Sequence, residues 1–260
     1  MSSDMTTLDS LTVTAGSDKS GNSACHDIIF TPGEITALLG PTGSGKSRFL
    51  SDIESLADND TPSGRKILLN ETPPDPDQRF ELQGRLVAQL TQNMNFVLDM
   101  AVDDFILTHA KSREVPTPEE TTEKVIAAAN DLAGEPFAPR TQLTQLSGGQ
   151  SRALMIADAA LLSWSPVLLI DEIENAGVDK LRALDLLVKS DKIVVIATHD
   201  PVLALSATRR LVFEHGAVHA VLSRTQEEQD ILARLTDLEN TFSHVRSQLR
   251  LGKPLTIGER

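Results

Sequence analysis

The sequence predicts an α/β fold in which a mainly parallel sheet is joined by an antiparallel β portion near the N-terminus and by an inserted helical subdomain. Short apolar runs, typical of buried strands, alternate with helical stretches along most of the chain, which favours a parallel sheet covered on both faces. A mostly helical stretch over about 93–150 interrupts that alternation and predicts the inserted subdomain. The 260 residues leave room for one such domain with a sizeable core.

The predicted elements follow the chain in order. Residues 11–14 alternate between apolar and polar side chains and predict a short edge strand. Residues 27–30 and 34–39 are strand-like, and the turn between them predicts a hairpin. Further strands are predicted at 67–69, 85–91, 166–170, 192–197, 210–213 and 217–221, and helices at 46–56, 118–133, 150–162, 179–189, 201–207 and 225–249. We expect a catalytic domain over residues 1–222 and a helical tail over 223–260.

Composition and charge narrow the function classes. The formal net charge of −13 disfavours binding to nucleic acid, whose phosphates require lysine and arginine, so no nucleic-acid partner is expected. The single cysteine, Cys25, cannot form an internal disulfide, which fits a reducing compartment. The longest apolar runs, such as 153–164, are too short to span a bilayer, so any work at a membrane is expected to go through a partner.

A glycine-rich stretch over residues 40–47 carries the strongest chemical signal. It lies between a predicted strand and a predicted helix, the context that the phosphate-binding loop of a P-loop NTPase requires. Glycines let backbone N–H groups turn inward around phosphate oxygens, and the helix adds the positive end of its dipole. Lys46 is then placed for the β- and γ-phosphates, and the Ser47 hydroxyl for Mg²⁺. The predicted nucleotide-binding residues of this loop are Gly40, Pro41, Thr42, Gly43, Ser44, Gly45, Lys46 and Ser47.

Two acidic residues follow the apolar run 167–170. A carboxylate at the carboxyl end of a buried strand beside a phosphate loop lies where the Mg²⁺ shell needs an anion, and Asp171 takes that place. Glu172, one residue further on, can polarise the attacking water as a general base. The sequence therefore predicts hydrolysis of a nucleoside triphosphate, with Mg²⁺ as the cofactor.

The order of the motifs resembles the ATP-binding cassette (ABC) ATPase family. Residues 146–150 read Leu-Ser-Gly-Gly-Gln between the phosphate loop and Asp171, and the triplet Thr198-His199-Asp200 follows another apolar strand. The resemblance covers roughly residues 11–213. It implies that the nucleotide is ATP, and that two chains, as a homodimer or as a heterodimer with a related subunit, hold two ATP molecules head to tail between them.

The resemblance also assigns roles in that dimer. The 146–150 stretch opens a helix and binds the γ-phosphate of the ATP held by the other subunit, through Ser147, Gly148, Gly149 and Gln150. His199 matches the family's switch histidine, which hydrogen-bonds the γ-phosphate. Asp179 is the best match for the aspartate that ends the family's D-loop, which contacts the other subunit.

The glutamine that senses Mg²⁺ in this family, and couples to the helical subdomain, is here Gln92 or Gln89. We prefer Gln92, because it follows the predicted strand, whereas Gln89 lies within it. The family also stacks adenine on an aromatic ring in an early strand, and the expected position falls near Ala15. No aromatic side chain is present there, which predicts weaker ATP binding unless a partner supplies the ring.

The predicted C-terminal helix carries an apolar seam with the four-and-three spacing of a heptad repeat. The seam is too short for the sequence to indicate a coiled coil, so we favour a helix packed on its own domain over pairing with a second helix. Its residues are Ile231, Leu235, Leu238, Phe242, Val245 and Leu249.

The resemblance implies a nucleotide-binding subunit that energises a separate membrane permease of unknown cargo, in the cytoplasm and peripheral at the inner face of the cell membrane. The alternative is a soluble ABC ATPase that remodels a cytoplasmic assembly, for example an iron–sulfur scaffold. The acidic charge argues against a DNA-maintenance ATPase. The presence of Glu172 and His199 favours turnover over a nucleotide switch that does not hydrolyse.

Overall fold

The computed structural model describes residues 8–22, 26–77, 79–91, 96–171 and 177–255. Within these ranges the chain forms nine strands and eight α-helices. They are β1 (Leu11–Val13), β2 (Ile28–Phe30), β3 (Ile35–Leu39), α1 (Lys46–Glu54), β4 (Ile67–Leu69), α2 (Arg79–Leu86), β5 (Val87–Leu90), α3 (Val102–Ser112), α4 (Pro118–Leu132), α5 (Gly148–Leu161), β6 (Val167–Asp171), α6 (Lys180–Val188), β7 (Ile193–Ala197), α7 (Pro201–Ser206), β8 (Arg209–Glu214), β9 (Ala217–Ser223) and α8 (Gln226–Arg250).

A six-stranded sheet forms the centre of the domain, in the order β5-β6-β7-β3-β8-β9. The first five of these strands run parallel, and β9 pairs antiparallel with β8 at one edge. β7 is buried along its whole length and β6 along all but its last residue, as their continuous apolar sequences require. One core cluster packs α1 against the sheet, and a second packs α5, α6 and α7 against it. The predicted α/β fold with a mainly parallel sheet is confirmed.

A separate three-stranded antiparallel sheet, in the order β2-β1-β4, accounts for the predicted antiparallel portion. The prediction of an edge strand at 11–14 is wrong, because β1 lies in the middle of this sheet and Thr12 is buried with its neighbours. The predicted hairpin is also wrong, because the turn between β2 and β3 carries the chain from one sheet to the other. Strands this short carry too little periodicity to show which partners they have.

The helical insertion lies between β5 and β6, where it was predicted. α3, α4 and α5 share their own apolar core, which includes Val102, Ile106, Val125 and Leu154. The predicted strand at 85–91 is shorter than expected, because α2 runs to Leu86 before β5 begins. Only Leu86 of α2 is buried, so no apolar repeat in the sequence announces that helix.

α8 follows β9 and packs against α7. The residues that α8 partly buries include Leu232, Leu235 and Thr236. The predicted packing of the heptad seam on its own domain is therefore only partly correct. Leu235 and Val245 are half-buried, whereas four seam residues are exposed, namely Ile231, Leu238, Phe242 and Leu249.

Candidate functional site

The candidate site lies along the edge of the six-stranded sheet where the parallel strands end. β7 pairs on one side with β3, so that Ala197 lies beside Leu38, and on the other side with β6, so that Ala197 lies beside Asp171. The phosphate loop follows β3, and His199 follows β7. The register of three neighbouring strands therefore brings the phosphate loop, Asp171 and His199 to one edge, where ligands bind in open parallel sheets.

Two glycines allow the phosphate loop to approach other backbone closely. Gly45 has φ +112°, and a Cβ atom there would lie 2.8 Å from Gly216 Cα; a Cβ atom on Gly40, at φ +140°, would lie 2.5 Å from the Phe213 carbonyl oxygen. Neither position admits a side chain unless backbone moves. Gly45 also offers no side-chain acceptor to the first turn of α1, which begins at Lys46 and contains no acidic residue. The N–H groups of that turn are thus suited to an anion.

Polar groups inside the loop are suited to phosphate. Lys46 is buried, and its Nζ donates to the carbonyl oxygens of Gly40 at 2.6 Å and Pro41 at 3.3 Å. Ser44 Oγ is buried and has no hydrogen-bond partner within the described part of the chain. An ammonium group and an unsatisfied hydroxyl are both donors that phosphate oxygens accept from.

The residues predicted for Mg²⁺ fit that ion chemically. Ser47 is exposed in the first turn of α1, and Asp171 ends β6 at the same edge of the sheet. A hydroxyl and a carboxylate suit an ion that binds few protein oxygens and takes its other ligands from water and substrate phosphates. Among the residues described here, no group of three or more His, Cys, Asp or Glu side chains could hold a metal ion.

The turn between β8 and β9 braces the phosphate loop, a contact that the sequence did not reveal. The Gly216 N–H donates to the Ser44 carbonyl at 2.8 Å, and the Gly216 carbonyl accepts from the Arg65 guanidinium at 2.8 Å. Arg65 also forms an ion pair of 2.9 Å with Asp52 on α1, in which both side chains are at most 1% exposed. Only Gly216 carries a sequence signal, because it is a glycine between the predicted strands 210–213 and 217–221. Nothing local distinguishes Arg65 from the exposed Lys66 beside it.

Lys19 places a second cation beside the loop. Its Nζ donates to the Gly43 carbonyl at 2.6 Å, and its backbone N–H donates to the His215 carbonyl at 2.8 Å. The segment that follows β1, where the adenine-stacking ring was expected near Ala15, therefore reaches the phosphate loop through a lysine. The polar sequence of this turn gave no sign of that contact.

The 146–150 stretch starts α5 with a capping box. Ser147 Oγ accepts from the Gln150 N–H at 3.3 Å, and Gln150 Oε1 accepts from the Ser147 N–H at 2.9 Å. Gln150 Nε2 also donates to the Glu135 carbonyl at 3.1 Å. Ser147 and Gly148 are exposed. The predicted helix start is confirmed, and the roles of Ser147, Gly148, Gly149 and Gln150 toward a second subunit's ATP stay predictions.

Asp179 caps α6, because its Oδ1 accepts from the Arg182 N–H at 3.1 Å. The Asp179 N–H donates to the Leu132 carbonyl at 2.9 Å. Two residues earlier, a Cβ atom on Gly177 would lie 3.6 Å from Gly149 Cα. The end of the predicted D-loop thus packs against the start of α5.

His199 is exposed at the end of β7, and the backbone that follows it is held firmly. Asp200 Oδ1 accepts from the N–H groups of Val202 at 2.8 Å and Leu203 at 3.0 Å, which caps α7. Asp200 also forms an ion pair with Lys180 at the start of α6. The backbone that carries the His199 imidazole is therefore held in place at the edge of the sheet where the site lies.

Two predicted catalytic residues, Glu172 and Gln92, lie outside the described residues. Gln89 lies within β5, as predicted. In the amide orientation that satisfies its neighbours, its side-chain nitrogen donates to the two Glu54 carboxylate oxygens at 2.9 and 3.0 Å. This bond ties Gln89 to the last residue of α1, at the far end of that helix from the phosphate loop. The preference for Gln92 stays a prediction.

Comparisons relate the chain to known proteins. Residues 26–175 match a family model described as ABC transporter. The chain is 48% identical over 247 residues to an uncharacterized ABC transporter ATP-binding protein of Methanocaldococcus jannaschii, covering 95% of this chain and 94% of that protein. Its fold is similar to that of cbiO1 from Clostridium perfringens, described as part of the ABC transporter complex cbiONQ, with a TM-score of 0.63, 22% identity and coverage of 91% and 98%. It is also similar to a dimeric ATP-binding cassette in a post-hydrolysis state bound to ADP and Pi, with a TM-score of 0.60, 19% identity and coverage of 83% and 99%.

Proposed function

The chain belongs to the ABC transporter family, as an ATP-binding and ATP-hydrolysing subunit, and we propose that its ATP cycle energises a separate membrane permease. The observation that carries the nucleotide site is the geometry of the phosphate loop. Gly40 and Gly45 stand where no side chain fits, Lys46 is buried among loop carbonyls, and the first turn of α1 has no side-chain cap. A loop of this kind is built to surround phosphate oxygens with N–H donors.

Each residue of the site has a separate task in the proposed reaction. Lys46 and the N–H groups of α1 bind the β- and γ-phosphates, and His199 hydrogen-bonds the γ-phosphate. Glu172 takes a proton from a water whose oxygen adds to the γ-phosphorus while the bond to the β,γ-bridging oxygen breaks, so that ADP and phosphate leave. Ser47 and Asp171, with Gln92, would hold Mg²⁺, which neutralises phosphate charge when it is bound.

The proposed active unit is a head-to-tail dimer, of two copies or of this chain and a related subunit. Ser147 and Gly148 are exposed at the N-terminus of α5, where N–H donors and the helix dipole favour an anion. We propose that this end of α5 completes the γ-phosphate site of the partner subunit, and that Asp179 lies at the same interface. The similar cassette that is a dimer with ADP and Pi supports this arrangement.

The proposed permease contact is the surface that follows Gln92. Val97 is 90% exposed and Leu98 is 50% exposed, and both precede α3 in the chain. Among the described residues, no helix is both long and apolar enough to span a bilayer. We propose that the chain is cytoplasmic and docks through this surface on a permease at the inner face of the cell membrane, and the description of cbiO1 as part of a transporter complex supports such a partner.

A mixing experiment tests the shared site. Lys46→Ala removes a chain's own phosphate contact, and Ser147→Arg blocks the contact that it offers to its partner. Each variant alone should be inactive, whereas an equimolar mixture should regain about a quarter of the wild-type activity, because about half of the dimers are mixed and each mixed dimer keeps one complete site of two. A mixture as inactive as its parts, or full activity in either variant alone, would contradict the head-to-tail arrangement.

The role of Glu172 is tested by Glu172→Gln. This variant should bind ATP, form a stable ATP-bound dimer and lose hydrolysis, because the amide cannot take the proton from water. Steady-state phosphate release and ATP titration measure the two effects. Hydrolysis at the wild-type rate would show that another group is the base.

The permease contact is tested with Leu98→Asp. Membranes that contain the partner should retain the wild-type chain, and retention should fall for this variant while soluble ATPase activity stays unchanged. The matched control is Phe80→Asp, which places the same charge on a residue that is 85% exposed on α2. Equal retention of both variants would place the permease contact elsewhere.

A further inference from the structure

We propose that α8 pairs antiparallel with α8 of a second copy of this chain, and so links the two subunits when no nucleotide is bound. This inference rests on the proposed head-to-tail dimer and adds a second interface to it. The feature that carries it is the α8 stripe, defined as the four exposed apolar residues on one line of the helix. They are Ile231 at 47%, Leu238 at 54%, Phe242 at 58% and Leu249 at 60% exposure.

The α8 stripe is straight and long. Its residues are spaced by seven, four and seven positions, so at about 100° per residue they all lie within about 20° of one line along the helix. From Ile231 to Leu249 is 18 residues, or about 27 Å at 1.5 Å per residue. Large apolar side chains in such a line are the pattern by which two helices pair.

The described part of the chain leaves the α8 stripe exposed. α8 packs on α7, and Leu232 and Leu235 are among the residues that it partly buries there. The stripe lies on the adjacent side of the helix. Two further apolar residues close to the start of α8, Val221 and Leu222 on β9, are exposed as well, at 42% and 44%.

The path of α8 leads it to the nucleotide edge of the sheet. Near its start Glu228 pairs with Arg210, the second residue of β8, at 2.7 Å. Further along, Glu239 lies 3.7 Å from Lys180, which directly follows Asp179 and pairs with Asp200. Residues 240–244, beyond this contact, are all exposed. The second half of α8 therefore extends past the point where the helix meets Lys180 at the start of α6.

The position of that contact fits the symmetry of a two-fold dimer. The midpoint of the α8 stripe is residue 240, halfway between Leu238 and Phe242, and it lies next to Glu239. In the proposed dimer Asp179, which directly precedes Lys180, lies at the interface between the subunits. A two-fold axis close to this contact would bring the two α8 helices together at their midpoints, with Ile231 of each opposite Leu249 of the other.

The charges on α8 favour the antiparallel direction and a copy of the same chain. Residues 226–237 contain four acidic residues and one arginine, whereas residues 238–250 contain two arginines and one glutamate. An antiparallel pair places the acidic half of each helix along the basic half of the other, whereas a parallel pair would place like charges together.

Sedimentation velocity on the full chain without nucleotide tests the pairing. The wild-type protein should sediment as a dimer at micromolar concentration, and Leu238→Glu/Phe242→Glu should sediment as a monomer with unchanged helix content by circular dichroism. Phe80→Glu, the matched control on another exposed aromatic residue, should remain a dimer. A monomeric wild-type chain, or a dimeric stripe variant, would overturn the proposal.

Cysteine cross-linking tests the direction. In a Cys25→Ser background, Ile231→Cys/Leu249→Cys should cross-link into a dimer under oxidation. An antiparallel pair places position 231 of one helix opposite position 249 of the other, so that two disulfides can form between the helices. Leu249→Cys alone should stay uncross-linked. Cross-linking of Leu249→Cys alone would indicate a parallel pair, and failure of the double variant to cross-link would likewise refute the antiparallel pair.

A third measurement separates this proposal from the head-to-tail dimer. Glu172→Gln with ATP should still dimerise when it also carries Leu238→Glu/Phe242→Glu, but with a dissociation constant at least about tenfold higher, because only the ATP interface remains. An unchanged dissociation constant would overturn the role of α8 alone. Loss of ATP-driven dimerisation in Glu172→Gln with an intact stripe would instead contradict the head-to-tail proposal.

Discussion

Arg65 does not belong to the predicted nucleotide site, but its replacement should disturb the phosphate loop strongly. Its guanidinium donates to Asp52 Oδ2 at 2.9 Å and to the Gly216 carbonyl at 2.8 Å, and it lies 5.2 Å from the centre of the Phe49 ring. Ser63 Oγ donates to the same Asp52 oxygen at 2.8 Å. Arg65→Met keeps the packing volume but leaves the Asp52 carboxylate buried with no cation beside it.

The expected loss of stability follows from that unpaired charge. Removing one partner of a buried ion pair costs about 3–5 kcal/mol, because the remaining charge has lost its compensation but not its burial. For a chain of this size, that loss lowers Tm by roughly 6–20 °C. Asp52→Leu/Arg65→Met removes both charges, so it should recover most of the loss. Because Gly216 loses a donor in either variant, the KM for ATP should rise in both.

Urea denaturation followed by far-ultraviolet circular dichroism measures these free energies of unfolding. The matched control is Arg140→Met, which removes an exposed arginine that pairs with Asp103 and Asp104 at 3.3 and 3.0 Å. It should cost less than about 1 kcal/mol. The reasoning is refuted if Arg65→Met is no more destabilising than Arg140→Met, or if the double variant is no more stable than Arg65→Met.

Two further predictions concern the loop glycines and a buried lysine. Gly45→Ala should lower the free energy of unfolding more than Gly43→Ala does. A Cβ atom on Gly45 meets Gly216 Cα at 2.8 Å, whereas one on Gly43, at φ +77°, meets nothing within 4 Å. Urea denaturation without nucleotide compares the two variants, and equal losses would reject the steric explanation. Burial, and to a lesser extent Arg113, lowers the pKa of Lys192 to about 8. Because the unfolded lysine titrates near 10.5, the folded chain binds fewer protons between these values. The free energy of unfolding should therefore rise by roughly 3 kcal/mol across that window, relative to Lys192→Met, and the difference should be flat below about pH 7. A difference that falls with pH would contradict this sign.

The parts of the fold that the sequence predicted are those with strong local signals. β6 and β7 are continuous apolar runs, and the phosphate loop needs glycines at Gly40 and Gly45, so both could be located without a structure. α2 could not, because it buries only Leu86. The brace through Arg65 could not either, since its partner Gly216 is 151 positions away and no periodicity links them. What the sequence misses is therefore the long-range support of the site.

A series of contacts joins motifs that lie far apart in the sequence, from the start of α5 to His199 and α8. The start of α5, which would meet the partner's ATP, packs at Gly149 against Gly177. Two residues later Asp179 caps α6, and Lys180 pairs both with Asp200, beside His199, and with Glu239 on α8. Because each of these contacts joins neighbouring packed elements, we expect a shift of α5 to move the backbone that carries His199. The start of α5, which would bind the partner's ATP, is thus connected through this series of contacts to the chain's own ATP site and to α8.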